Sequence, residues 1–184
     1  MDGDGLIDRV IRKESDFVPP NNYLNVQFNN GSGFENIVKW GPLDALGETG
    51  GDSDGEGYNG PSSSMNDITR VSLIDMNGDG LPDRLMRDSD VYADYTSLKL
   101  QYNTGYGFEK DINGNPVTYA IPIETQGAVD GRWCGIESTD NSDALIVIGD
   151  FNADGLPDRI MRRNITDFSD PADSYFLVQL NTGL

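Results

Sequence analysis

Asp75, Asn77, Asp79 and Asp83 stand at alternate positions of the stretch DMNGDGLPDR, with glycines at 78 and 80 between them. Oxygen-bearing side chains spaced this way in a tight loop point inward, so one short segment can surround a hard cation that takes six to eight oxygens at about 2.3 to 2.6 Å. The backbone carbonyl of Leu81 falls between the last two carboxylates and completes the predicted set. The same set recurs as Asp150, Asn152, Asp154, the Leu156 carbonyl and Asp158 in DFNADGLPDR. Glycine takes positive φ at little cost, as the turn at Gly78 and Gly80 requires. Pro82 then stiffens the exit. Carboxylates crowded into so short a segment repel one another unless a cation lies among them. Calcium is the expected ion, because magnesium demands near-ideal octahedral geometry and zinc prefers nitrogen and sulfur ligands. The chain has no histidine to offer.

The same opening pattern begins an EF-hand loop, which closes on a bidentate Glu at its twelfth position and is flanked by helices. Counted from Asp75 that position is Met86, and from Asp150 it is Met161. The flanking segments also read as strands. A strand–loop–strand calcium site is therefore expected instead of an EF-hand.

A third version, DGDGLIDRVIR, opens at residue 2, and Asp4, Asp79 and Asp154 fall at a fixed interval of 75 residues. A long fixed period marks an array of supersecondary units. In the middle unit TRVSLID (69–75), rich in β-branched residues, leads into the acidic loop and RLMRD (84–88) leaves it. SLKLQYN (97–103) then alternates Leu98, Leu100 and Tyr102 on one face, NTGYG supplies turn chemistry, and VTYAIPI (117–123) reads as a fourth strand. The third unit follows with ALIVIGD, RIMRR and YFLVQLN, and the first with RVIRK, NYLNVQFN and FENIVKW. RLM and RIM are apolar on consecutive residues, as suits a strand covered on both faces. The prediction is an all-β chain of four-stranded antiparallel β-propeller blades, about two and a half of them, forming a single partial domain over 1–184. Its blade repeats span roughly 1–68, 69–143 and 144–184. GETGGDSDGEGYNGPSSSMND (47–67) reads as an exposed polar loop, with Asp52, Asp54 and Glu56 a weaker candidate ion site.

Composition limits the partners. Thirty-one acidic residues against 13 basic ones give a net charge of −18, which opposes binding to nucleic acid or to anionic membrane surfaces. No apolar run approaches the roughly 18 residues of a membrane span, and no basic-then-apolar signal segment opens the chain. The single cysteine, Cys134, offers no internal disulfide and reads as a small buried apolar residue.

The run D-x-N-x-D-G-L-P-D-R, followed by an alternating strand, N-T-G and G-F, resembles the FG-GAP or VCBS-like repeats of calcium-binding β-propellers, as in integrin alpha chains and many bacterial surface proteins. DMNGDGLPDR with LQYNTGYGF is most similar to the propeller part of Rhs-type and insecticidal toxin-complex B-type bacterial proteins. The resemblance covers the chain outside 44–67 and 124–142. It implies a loop between the first and second strands of each blade, holding one calcium by the positions named above. In the first unit Asp2, Asp4, the Leu6 carbonyl and Asp8 match, but Met1 stands where Met76 does and the leading aspartate is missing. The resemblance also implies rings of six to eight blades. A piece of a longer propeller is therefore expected, with assembly from several copies as the alternative.

The function expected is a non-enzymatic, calcium-stabilised scaffold and protein-interaction module of a secreted or surface protein, and the resemblance implies a bacterial, toxin-related one. Its partners would be calcium, another protein or the remaining blades, or further copies of the chain. Extracellular modules bind calcium with Kd of about 10⁻⁴ to 10⁻³ M, so such loops would be empty in a cytosol. No G-x-S-x-G elbow or Cys–His pairing supports catalysis. The rival reading is a carbohydrate-binding or carbohydrate-cleaving cleft formed by Glu124, Glu137 and Asp140 near Trp133. Arg9, Arg84 and Arg159 follow the last aspartate of each loop and are expected to form a salt bridge to the loop or to an adjacent blade, with a partner surface as the alternative.

Overall fold

A computed structural model describes residues 1–11, 23–44, 63–65, 68–87, 97–124, 136–140, 143–162 and 176–183. Among these residues the chain is all β, with no helix. The strands are β1 (Arg9–Ile11), β2 (Leu24–Gln27), β3 (Val38–Trp40), β4 (Ser63–Met65), β5 (Ile68–Ile74), β6 (Asp83–Arg87), β7 (Ser97–Gln101), β8 (Tyr119–Pro122), β9 (Ser138–Asp140), β10 (Asp143–Gly149), β11 (Asp158–Arg162) and β12 (Phe176–Gln179).

They pair antiparallel in three groups that follow the sequence repeat. The first is β1-β2-β3; the second is β5-β6-β7-β8 with β4 on the free side of β5; the third is β10-β11-β12 with β9 beside β10. A single pair, Ile68 opposite Ser138, joins the second group to the third. The second and third acidic loops close hairpins: Ile74 faces Asp83 across the second, and Gly149 faces Asp158 across the third. The expected succession of strand, acidic loop, strand, strand, turn and strand is thus present from β5 to β8.

Two short strands were not expected. β4 lies inside the segment read as a polar loop, and β9 falls in the stretch before the third unit. Both are three residues long and lie along the edges of β5 and β10, where unpaired backbone groups find partners. Asp52, Asp54, Glu56, Trp133 and Cys134 lie outside the described residues.

The apolar runs bury as their sequences require. All five residues of β6 are buried, because a strand with neighbours on both faces has no solvent side. Two hydrophobic clusters cross the boundaries between units. One combines Met1, Leu24, Val26, Trp40 and Leu43 of the first unit with Phe108 of the second. The other joins Leu85, Leu98, Leu100, Ile123 and Ile136, with Ile148 of the third unit packed against it. Burying side chains of this size contributes about 1.5 to 3 kcal/mol each.

Candidate metal centre and the junctions between units

The loop from Asp75 to Asp83 is folded on its own amides. The Asp75 carboxylate accepts from the N–H groups of Gly78 (2.8 Å), Asp79 (3.2 Å) and Gly80 (2.8 Å). Asn77 Nδ2 donates to Asp79 Oδ2 at 3.0 Å, and Asp79 Oδ1 accepts from Leu81 N at 2.8 Å. The third loop repeats this: Asp150 accepts from Asp154 N and Gly155 N, Asn152 Nδ2 donates to Asp154 Oδ2, and Asp154 Oδ1 accepts from Leu156 N. Gly78 and Gly80 take φ of 76° and 85°, and Ala153 holds the position of Gly78 at φ 63°. The first loop shows the shorter set, with Asp2 accepting from Asp4 N and Asp4 from Leu6 N.

The last aspartate of each loop has a different surrounding from the rest. Asp83 is fully buried, and its Oδ1 accepts from Asn103 N at 2.9 Å while Oδ2 accepts from Met76 N at 3.0 Å. Asp158, also buried, accepts from Asn181 N and Phe151 N, both at 2.9 Å. Asp8 accepts from Asn29 N at 2.9 Å and from the Met1 amino group. One carboxylate therefore ties the loop's entrance to the turn after the third strand in every unit. Sequence spacing gave these aspartates a ligand's position but carried no sign of the tie.

In composition the donors suit a hard cation: carboxylate, amide and carbonyl oxygens with no nitrogen or sulfur competitor. In arrangement, no three acidic side chains surround a common point among the described residues, because Asp75 and Asp79 are turned toward backbone amides. The charges still interact. Burial pushes the Asp83 carboxyl up to about 6, with the Asp79 and Asp75 charges adding to the push and the amides of Asn103 and Met76 opposing it.

That shift fixes a pH dependence. A folded-state pKa raised above the ordinary 3.8 favours the folded chain most when Asp83 is protonated, and this contribution is lost as pH rises through about 6. In EGTA the Asp83 contribution is expected to make the chain melt higher near about pH 5 than near about pH 7.5, an advantage that should shrink in Asp83→Asn.

The loops also stack. A Cβ on Gly3 would come within 2.9 Å of Leu81 Cδ2, and one on Gly78 within 3.2 Å of Leu156 Cδ2. The leucine of each following loop therefore rests on the glycine of the loop before it.

A second repeated arrangement lies beside the stack. Register places an arginine opposite a glutamine in every unit: Arg9 with Gln27, Arg84 with Gln101, Arg159 with Gln179. In the second unit this pair grips the backbone that leaves β3. Gln101 Nε2 donates to the Pro42 carbonyl (3.1 Å), Gln101 Oε1 accepts from Asp44 N (3.0 Å), and Arg84 Nη1 donates to the Asp44 carbonyl (3.0 Å) and to Gln101 Oε1 (2.7 Å). In the third unit Gln179 Nε2 donates to Pro122 O (2.8 Å), Gln179 Oε1 accepts from Glu124 N (3.1 Å), and Arg159 Nη1 donates to Glu124 O (2.7 Å). The glutamine amide thus bonds residues i and i+2 as a neighbouring strand would. Arg84 and Arg159 reach the neighbouring unit through hydrogen bonds to its backbone carbonyls, whereas Arg9 bonds Gln27 of its own unit. Asn103 Nδ2 and Asn181 Nδ2 add bonds to the carbonyls of Met1 and Met76 in the preceding loops.

Of the acids assigned to the rival sugar cleft, Glu124 has its backbone held by Gln179 and Arg159, while Glu137 is exposed. Comparison with protein-family models, curated proteins and solved structures finds no match.

Proposed function

We propose that the chain is a calcium-stabilised β-propeller segment without catalytic activity, serving as a scaffold and protein-interaction module of a secreted or surface protein. The observation that carries this reading is the acidic loop itself: alternate side-chain oxygens in a bent hairpin between two antiparallel strands in the second and third units, with the same spacing of aspartates repeated before β1 in the first. Asp75, Asn77, Asp79, the Leu81 carbonyl and Asp83 would hold one ion, and Asp150, Asn152, Asp154, the Leu156 carbonyl and Asp158 a second. The first loop offers Asp2, Asp4, the Leu6 carbonyl and Asp8. Bound calcium supplies positive charge where neighbouring carboxylates now repel. Asp75 and Asp79 would turn from backbone amides toward the ion, while the tie made by Asp83 would keep the loop's two ends together. Because successive loops pack leucine on glycine, an ion that orders one loop also steadies the surface its neighbour rests on. Short antiparallel groups arranged along a repeat support the blade reading, and the affinities of extracellular calcium modules support a location outside the cytosol.

The test is thermal melting with calcium against EGTA. A ligand that binds only the folded state stabilises by about 2.7 kcal/mol per site at 100 times its Kd. A clear rise in Tm with millimolar calcium is expected, reduced by half or more when Asp79→Ala and Asp154→Ala are combined. An unchanged Tm, together with no heat on calorimetric titration of the folded chain, would overturn the proposal.

A further inference from the structure

Residues 76–78 lie between the proposed ligands Asp75 and Asp79, and the unit that follows holds them. Asn181 Nδ2 donates to the Met76 carbonyl at 2.8 Å, and Asn181 N donates to Asp158 Oδ1 at 2.9 Å. The Leu156 side chain lies between Gly78 and the turn of its own unit. A Cβ on Gly78 would come within 3.2 Å of its Cδ2, and one on Gly183 within 4.0 Å of its Cδ1. Leu156, through its carbonyl, and Asp158 both belong to the proposed ligand set of the third loop. Each is thus linked to the second loop, one through its own side chain and the other through Asn181.

The second unit holds the first loop in the same way. Asp83 Oδ1 accepts from Asn103 N at 2.9 Å, Asn103 Nδ2 donates to the Met1 carbonyl at 2.9 Å, and Leu81 rests on Gly3. The turn by itself does not call for asparagine. It needs a side-chain acceptor for the N–H two residues on, which Oδ1 supplies to Gly105 and to Gly183, both at 3.1 Å. Aspartate would supply that acceptor equally well. What asparagine adds is the Nδ2 donor, and in both units that donor reaches the preceding loop.

We infer that Asn103 and Asn181 are positioning residues that couple adjacent acidic loops, so that a calcium ion in one loop raises the affinity of its neighbour. This deepens the calcium reading and rests on it. Filling the third loop fixes the Leu156 carbonyl and Asp158, and with them the Leu156 side chain and the Asn181 turn. These in turn hold Met76 and Gly78, with the ligand Asn77 between them. The second loop then has less conformational freedom to lose when its own ion arrives, which is the condition for positive cooperativity. Filling the second loop presents the Met76 carbonyl and Gly78 to the third in a fixed place, so the coupling runs equally in both directions.

The experiment is a calorimetric titration with calcium of the full chain carrying Asp4→Ala, which disables the first loop and leaves the second and third. Two ions should bind with at least about fivefold coupling, the low end of the usual range for linked sites. For two equal sites that coupling gives a Hill coefficient of about 1.4, and the loop left after Asp154→Ala then binds about twofold more weakly than the pair. Asn181→Asp keeps the acceptor for Gly183 and removes the donor to Met76; Asn181→Ala removes both. Each should still bind two ions, now with a Hill coefficient of about 1, and adding Asp154→Ala should no longer weaken the remaining loop. Circular dichroism on the same samples shows that the variants are folded, and Asn181→Asp carries the test if Asn181→Ala is not. A Hill coefficient of 1 or below before Asn181 is changed overturns the coupling and leaves the calcium reading standing, as does steepness that both Asn181 variants retain. Binding of fewer than two ions overturns it as well. No heat and no change of Tm in any of these chains overturns both readings together.

Discussion

Arg84→Ala is expected to destabilise the chain by about 2 to 5 kcal/mol, whereas Arg9→Ala should stay within about 0.5 kcal/mol of the parent. Both arginines sit opposite a glutamine on adjacent strands, and both donate to it. Their surroundings differ. The Arg84 side chain is fully buried and spans from Gln101 to the Asp44 carbonyl, so removing it takes a donor from the buried Gln101 Oε1 and from the half-buried Asp44 carbonyl and opens a cavity under the neighbouring unit. Arg9 is exposed, and water replaces its guanidinium at little cost. Arg84→Lys should recover little, because a single ammonium cannot reproduce the planar fork. Urea denaturation midpoints of the three variants decide the matter, and equal midpoints for Arg84→Ala and the parent would remove the clamp's claim to energetic weight.

The second large effect is expected from a methyl group. Gly107 has φ 143°, and a Cβ there would stand 2.6 Å from the Gly41 carbonyl oxygen, which accepts the Phe108 N–H at 3.2 Å. The obstacle is backbone, with no flexible tip to move aside. Gly107→Ala therefore combines a strained conformation, costing about 1 to 3 kcal/mol, with a displacement of the two units and of Phe108 between them. A loss of about 3 kcal/mol or more in chemical denaturation is expected. Gly33 is the matching residue of the first unit, and nothing lies within 4 Å of a Cβ built on it. Gly33→Ala should leave the midpoint unchanged. If the two alanine variants unfold alike, the tight approach at the junction is not what makes Gly107 a glycine.

The sequence showed some of this plainly. Period-2 alternation in SLKLQ places Leu98 and Leu100 together in the core, and the turn residues after Asn103 fall where the chain reverses. The acidic loops were legible because alternate oxygens around two glycines have few structural explanations. Other features left weaker marks. SSM and STD carry no alternation, so β4 and β9 could not be told from loop; their pairing comes from the edges of β5 and β10. Arg9, Arg84 and Arg159 were visible as a repeat, but Gln27, Gln101 and Gln179 were not, since their tie to the arginines depends on cross-strand register and their intervals differ between units. Asp83 and Asp158 looked like their neighbours in the loop. Burial and two amide donors set them apart, and neither can be read from spacing.

Phe108 completes a cluster whose other members, Met1, Leu24, Val26, Trp40 and Leu43, all come from the unit before it. The interior of that first unit is therefore closed by a ring from its successor. Thermal opening of β2 must expose that ring, and opening of the turn that carries Phe108 must uncover β2. The first and second units are therefore expected to come apart together, and the seam between them to be among the last places where solvent deuterium penetrates.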